Sequence, residues 1–162
     1  MPKARTAAGA RHNDPDVTRY VGWPQHRSVE DTRRFIQFTQ AEWQRAPAGV
    51  YLISSRATGA LLGSTGLGFE TASRASTGYV LAKDAWGHGY ATEALLAMVD
   101  LARQLGVVRL YAICHPEHAA SIRVLDKSGF TREGIWRRHS EFPNLAPGVP
   151  ADVACYAAIL GD

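Results

Sequence analysis

Residues Ala85–Ala102 read AWGHGYATEALLAMVDLA: two glycines flank a histidine, and the chain then runs into an apolar pattern of helical period. Glycine weakens a helix start, so placing two there needs a compensating gain. A helix beginning near Tyr90 leaves its first amides without intrahelical partners. With no β-carbon at Gly87 and Gly89, a ligand can approach those amides closely. The helix dipole adds roughly half a positive charge at the same place, and His88 can add one more donor. The chemistry on offer is anion binding, with a diphosphate as the natural guest. The same letters also describe a flexible turn before a helix. They do not make a P-loop, because no Gly-Lys-Ser/Thr follows. The dinucleotide fingerprint is excluded too, since its third glycine and a following parallel strand with an acidic tip are missing.

A second chemical stretch is CHPEHAASIRVLDKSGF, from Cys114 to Phe130. His118, Ser121 and Leu125 fall at i, i+3 and i+7 and share one stripe of a helix. A hydroxyl in that position can stabilise developing negative charge, or it can simply bond the backbone of its own turn. Cys114, His115, Glu117 and His118 are all metal ligands in type. Their segment is too short to wrap one ion tetrahedrally and no second cluster exists, so no metal is expected.

The elements that must position these groups are legible along the chain. Ser28, with Asp31 three residues later, marks a helix start, and Phe35 and Ile36 lie on its core side through about Gln44. Strand-like runs follow at Val50–Ser55, Ala60–Glu70 and Thr77–Ala82, with Thr58-Gly59 as a turn and "ASRAS" as a loop. Tyr90–Leu105 is the clearest helix, stopped by Gly106. "VVRLYAIC" reads as a buried strand and Ala119–Ser128 as a helix ended by Gly129. "FTREGIWRR" and "DVACYAAIL" read as strands around the excursion "FPNLAPGVP". The order predicts an α/β (α+β) fold: a mixed, mostly antiparallel sheet flanked by helices. Ligands are expected where strands pass into helices, at Ala82–Tyr90 and Cys114–Ala119.

Composition agrees with one soluble domain. The chain has 162 residues, 46% hydrophobic and 20% charged, with a net charge of +3. That length buries roughly 70% of the unfolded surface without staples. The basic excess lies in Lys3, Arg5 and Arg11; without them, 15 basic residues face 15 acidic ones, which argues against a nucleic-acid face. Residues 1–16 are polar and aperiodic and are expected to be a mobile segment before a single domain over 17–162. Cys114 and Cys155 sit in apolar runs and are expected as buried free thiols. No apolar run approaches the ~20 residues that span a bilayer, and no signal-peptide core is visible, so a cytoplasmic location is the default.

The run GYVLAKDAWGHGYATEAL followed by HPEHAASIRVLDKSGFTREG resembles the GNAT N-acetyltransferases, above all the RimJ/RimL-type branch that acetylates protein N-termini. That branch shows W-G-x-G-Y-A-T-E-A and then H-P-x-N-x-A-S-x-R-V-x-x-K-x-G-F. The match runs from about Gly78 to Gly134, with weaker similarity on both sides. The resemblance implies that the amides of Trp86, Gly87, His88, Gly89, Tyr90, Ala91 and Thr92 hold the pyrophosphate of acetyl-coenzyme A. Tyr79, Val80 and Leu81 would pair by backbone with its pantetheine arm, and His118, Ser121 and Lys127 would complete the cofactor site. Ser121 matches the serine that faces the thioester and hydrogen-bonds the departing sulfur. His118 departs from the family's asparagine. Leu125 stands where many relatives carry a tyrosine acid.

The reaction so implied is direct attack of an amine on the thioester, with a protein or peptide N-terminal amine as the leading acceptor. A small amine such as a polyamine or aminoglycoside is the nearest alternative, and a non-catalytic coenzyme A-binding module is a different class. Some group must take the amine proton. Glu70, ending the Ala60–Glu70 run, and Glu93, in the first helical turn, are the candidates, although an acid in a first turn also suits the helix dipole. Tyr20, Trp23, Arg138 and His139 are candidate acceptor contacts. The family's first edge strand is not legible before Asp14: either it is absent or the chain starts further upstream. The edge at Val50–Ser55 is then expected to be covered by the N-terminal segment or by a second subunit, as in a homodimer.

Overall fold

The computed structural model describes residues 13–161. Asp14 caps a short helix α1, Pro15–Thr18, by accepting from the Asp16 amide at 2.9 Å. Residues 14–16 of the segment expected to be mobile therefore begin an element, and residues 1–12 lie outside the described part. Ser28 accepts from the Asp31 amide at 3.1 Å while the Asp31 carboxylate takes the Ser28 amide at 3.0 Å. This reciprocal box starts α2, Val29–Trp43.

Six strands follow: β1 Val50–Ser54, β2 Leu61–Phe69, β3 Arg74–Leu81, β4 Arg109–Cys114, β5 Thr131–Glu141 and β6 Pro150–Ile159. Helix α3, Tyr90–Gln104, lies between β3 and β4, and α4, Ala119–Lys127, between β4 and β5. The strands form one sheet in the order β1-β2-β3-β4-β6-β5, antiparallel except for β3 beside β4. This is the expected mixed sheet. Among the described residues β1 pairs only with β2 and forms an edge.

Strand β3 starts three residues earlier than the turn-rich letters suggest. The amides of Glu70 and Thr71 both donate to Arg74 O, at 3.0 and 3.2 Å, so the turn closes within four residues. Ala75, paired with Phe69, is then fully buried. Strand β5 likewise runs to Glu141, past a register shift in which Arg138 takes a positive φ of 47°.

The core lies between the sheet and α3. Ala94, Leu95, Met98, Val99 and Ala102 form the buried stripe of α3, against Leu67, Ala75, Leu110 and Ala112 of the strands. Full burial of one such leucine, as at Leu95, contributes about 2 kcal/mol. Cys114 and Cys155 are both buried and free. Among the described residues no helix is long and apolar enough to cross a membrane.

Register creates the feature that matters most. Strands β3 and β4 pair only at Arg74↔Arg109, Ala75↔Leu110 and Ser76↔Tyr111. Ser73 O pins this closed end by accepting the amides of Val108 and Arg109, at 2.8 and 3.0 Å. Beyond it, Thr77–Leu81 stays paired with β2 and Ala112–Cys114 with β6, but not with each other. The sheet opens there as a wedge, with α3 and α4 starting at its mouth.

Candidate active site

A 3-10 turn, Lys83–Ala85, leads from β3 toward the glycines. Gly87 and Gly89 both adopt positive φ, 75° and 81°, a region that costs other residues roughly 1–2 kcal/mol. The two left-handed turns expose a run of amides. Among the described residues, the amides of Gly87 through Thr92 meet no backbone carbonyl; Glu93 is the first that does, donating to Gly89 O at 3.0 Å. Gly87, His88 and Gly89 are exposed. The loop is held in place by Trp86, whose indole Nε1 donates to Leu81 O at 3.1 Å, and by an ion pair of Lys83 with Asp16 of α1. His88 stacks on Tyr90, with ring centroids 5.7 Å apart. A cradle of this kind takes an anion with several oxygens.

Across the wedge stands Ser121, in the first turn of α4. Its hydroxyl lies 2.8 Å from the Tyr79 hydroxyl, and the same phenol is 3.3 Å from Ser121 O. Tyr79 belongs to the part of β3 that β4 has left unpaired. Burial pushes its phenol up to about 12, so it stays protonated. Cys114, the last residue of β4, contacts the Ser121 hydroxyl and is buried; burial pushes its thiol up to about 11. Leu125, one turn further along α4, is buried in the core. No titrating group occupies that position.

Next to Ser121 the HPEH turn packs on the N-terminal loop. Tyr20 stacks on His115 and on His118, at 5.0 and 4.8 Å between centroids, and His115 meets Phe142 edge-on. Burial, and after it the charge of His115, depresses the His118 pKa. The α1–α2 loop is tied to the β5–β6 loop through Asn144. Its amide donates to Thr18 O at 2.8 Å and Trp23 O at 2.9 Å, and its oxygen accepts from the Gln25 amide at 2.7 Å.

Of the sequence-predicted residues, the structure brings the 86–92 loop, Tyr79, Val80, Leu81, His118 and Ser121 to the mouth of the wedge. Lys127 ends α4, two turns from Ser121. Glu70 is not joined to Ser121. It accepts from the Tyr111 hydroxyl and pairs with Arg74 at 2.7 Å, beside the closed end of the strand pair. Tyr111 points to the sheet face opposite Leu110, Ala112 and Cys114, because side chains alternate along β4. The hydrogen bond from Tyr111, with the one from Arg74 and the charge of that guanidinium, lowers the pKa of the Glu70 carboxyl below its usual value. Such a carboxylate is a weak base. Glu93 is exposed in the first turn of α3. Trp23 packs on Phe35, Arg138 gives its amide to Asp152, and His139 rests against Trp136. Sequence reasoning missed the Tyr79–Ser121 bond, since the partners lie 42 positions apart. It also missed the Trp86 clasp and the Asn144 staple.

Comparison with known proteins places these features in a family. Residues 4–131 match the family model described as an acetyltransferase (GNAT) domain. The chain is 30% identical to the Bacillus subtilis N-acetyltransferase YoaA over 152 residues, covering 91% of this chain and 82% of that one. It is 31% identical to the Escherichia coli ribosomal-protein-serine acetyltransferase over 144 residues, 86% of this chain and 77% of that one. Among solved structures it superposes on RimL, a ribosomal L7/L12 alpha-N-protein acetyltransferase in complex with coenzyme A. The TM-score is 0.83 at 26% identity, covering 98% of this chain and 88% of that one.

Proposed function

The chain belongs to the GNAT acetyltransferase family and is an N-acetyltransferase, and on that premise we propose that it moves the acetyl group of acetyl-coenzyme A to the N-terminal α-amine of a protein or peptide. The observation that carries this reading is the run of unpartnered amides from Gly87 to Thr92 at the mouth of an open strand pair, with Ser121 across it. The amides would grip the pyrophosphate. The free backbone edges of Thr77–Leu81 would take the pantetheine arm as a strand takes its neighbour. The thioester then lies within reach of Ser121, whose hydroxyl stabilises the sulfur as negative charge develops there.

The amine attacks the carbonyl carbon, the N–C bond forms, the C–S bond breaks and the electron pair leaves on sulfur. The acceptor class follows from proton supply. At pH 7 about a tenth of an α-amine of pKa near ~8 is neutral, against about one part in 2,500 of a lysine near ~10.4. With Glu70 engaged by Tyr111 and Arg74 beside the closed end of the strand pair and not joined to Ser121, an acceptor that is already partly deprotonated suits this site best. Two comparison proteins support that class: one acts on a ribosomal protein's serine and the other on an alpha-amine, by their names.

The test is thiol release from acetyl-coenzyme A across peptides of varied first residue, polyamines and aminoglycosides, with mass spectrometry locating the acetyl group. Acetylation of peptide α-amines is expected; turnover confined to polyamines or aminoglycosides overturns the acceptor class. Ser121→Ala should lower kcat by about 100-fold, as loss of an oxyanion-type donor does, with Kd for acetyl-coenzyme A unchanged. An equal collapse of binding would make Ser121 a binding residue instead.

A further inference from the structure

We propose that Tyr79 is a positioning residue for the leaving-group step: its phenol donates to the Ser121 hydroxyl oxygen, which leaves the single hydrogen of Ser121 for the departing sulfur. This rests on the reading of Ser121 given above.

A serine hydroxyl carries one donor hydrogen and two acceptor lone pairs. A helical serine left alone turns that hydrogen back to a carbonyl of the preceding turn, as Ser128 at the C-terminal end of this helix does on Val124 O at 2.8 Å. Ser121 is placed differently. The Tyr79 hydroxyl stands 2.8 Å from its Oγ, while the alternative acceptor for that phenol, Ser121 O, is farther off at 3.3 Å. A phenol is a stronger donor than an aliphatic alcohol, so the bond runs from Tyr79 to Ser121. The phenol, held protonated by burial, offers that hydrogen throughout the working range of pH. With one lone pair of Ser121 filled, its own hydrogen is left for a sulfur acceptor, the Cys114 thiol at rest and the departing sulfur in the reaction. The neighbouring Cys114 remains a neutral thiol and is a poorer acceptor than a thiolate.

Tyr79 is not the acid. A phenol near 12 holds its proton more tightly than a thiol of ordinary pKa, about 8.5, so transfer to a thiolate runs uphill. Sulfur therefore departs as the thiolate, hydrogen-bonded by Ser121, and the amine proton leaves to water. The arrangement leaves no part for Leu125, which is buried in the core: the leaving group is served by Ser121 of the same helix, with Tyr79 of β3 behind it.

The experiment titrates the thiol of bound coenzyme A by thiolate absorbance in the wild type, Tyr79→Phe, Ser121→Ala and the double variant. Tyr79→Phe keeps the ring and its packing. The bound thiol should ionise at the lowest pH in the wild type, at a higher pH in Tyr79→Phe, and at a still higher pH shared by Ser121→Ala and the double variant. In turnover, Tyr79→Phe should lose about tenfold in kcat, the worth of one hydrogen bond, with Kd for acetyl-coenzyme A unchanged. The double variant should be no slower than Ser121→Ala. A Tyr79→Phe titration matching the wild type, or a loss that adds in full to that of Ser121→Ala, overturns the proposal. If coenzyme A binds but no amine is acetylated, the functional reading falls while the titration still decides the role of Tyr79.

Discussion

Replacing Gly89 by alanine separates backbone strain from ligand binding. Gly89 is the N-cap of α3 with φ 81° and ψ 0°, and an added β-carbon meets nothing within 4 Å. The folded protein therefore loses only the left-handed preference, roughly 1–2 kcal/mol. Part of that returns because alanine restricts the unfolded chain, leaving a net cost of about 1 kcal/mol. In a protein of this size that is a fall in Tm of about 2–4 °C. Gly59, in the turn between β1 and β2, supplies the control. Its φ is 69°, its β-carbon would also meet nothing within 4 Å, and it stands in no part of the wedge. Gly59→Ala should lower Tm by a similar amount. The two variants part company on coenzyme A. At position 89 the methyl group occupies the approach to amides 87–92 and displaces one charge-assisted hydrogen bond, worth about 1.5–3 kcal/mol. Isothermal calorimetry should show Kd for coenzyme A raised about 10- to 100-fold in Gly89→Ala and unchanged in Gly59→Ala. Wild-type affinity in Gly89→Ala would refute the claim that this loop is the anion cradle. Equal weakening in both variants would trace the loss to general destabilisation.

Two further outcomes follow from the loops and the buried histidines. Asn144→Ala removes three hydrogen bonds that join the α1–α2 loop to the β5–β6 loop. At about 1 kcal/mol each it should cost 2–3 kcal/mol of stability and raise KM for the peptide acceptor while leaving KM for acetyl-coenzyme A alone; an unchanged acceptor KM would place the acceptor elsewhere. His26 is buried against Thr32, with Nδ1 at 3.1 Å from the hydroxyl, and burial depresses its pKa below the usual 6.5, as it does for His118. The unfolded chain then binds protons first, so stability is complete above 6.5 and declines as pH falls from there toward the lowered folded values. Scanning calorimetry between about pH 7 and 5.5 should show Tm falling, less steeply in His26→Gln; a flat or rising Tm would contradict the burial argument.

Much of this architecture was legible because its signals are local. The Ser28/Asp31 box, the apolar stripe from Ala94 to Ala102, and Gly106 and Gly129 at helix ends each act within a few residues, and each lies where its letters place it. Boundaries were missed where a partner strand overrode a local preference. Arg74, Ala75 and Ser76 lie in letters that read as loop, yet pairing of Ala75 with Phe69 and Ser76 with Gly68 makes them strand. Among candidate carboxylates, spacing could not separate Glu70 from a base near Ser121, because its state depends on Tyr111, 41 positions away.

From sequence alone came the kinds of element, their order, the glycine loop and the serine, since periodicity, caps and left-handed turns are properties of short stretches of chain. Only the tertiary structure decided where β3 and β4 part, that Tyr79 meets Ser121 and Leu125 turns to the core, and that Asn144 ties two distant loops. Those facts depend on register and on contacts between positions tens of residues apart, and no local free energy of the chain encodes them.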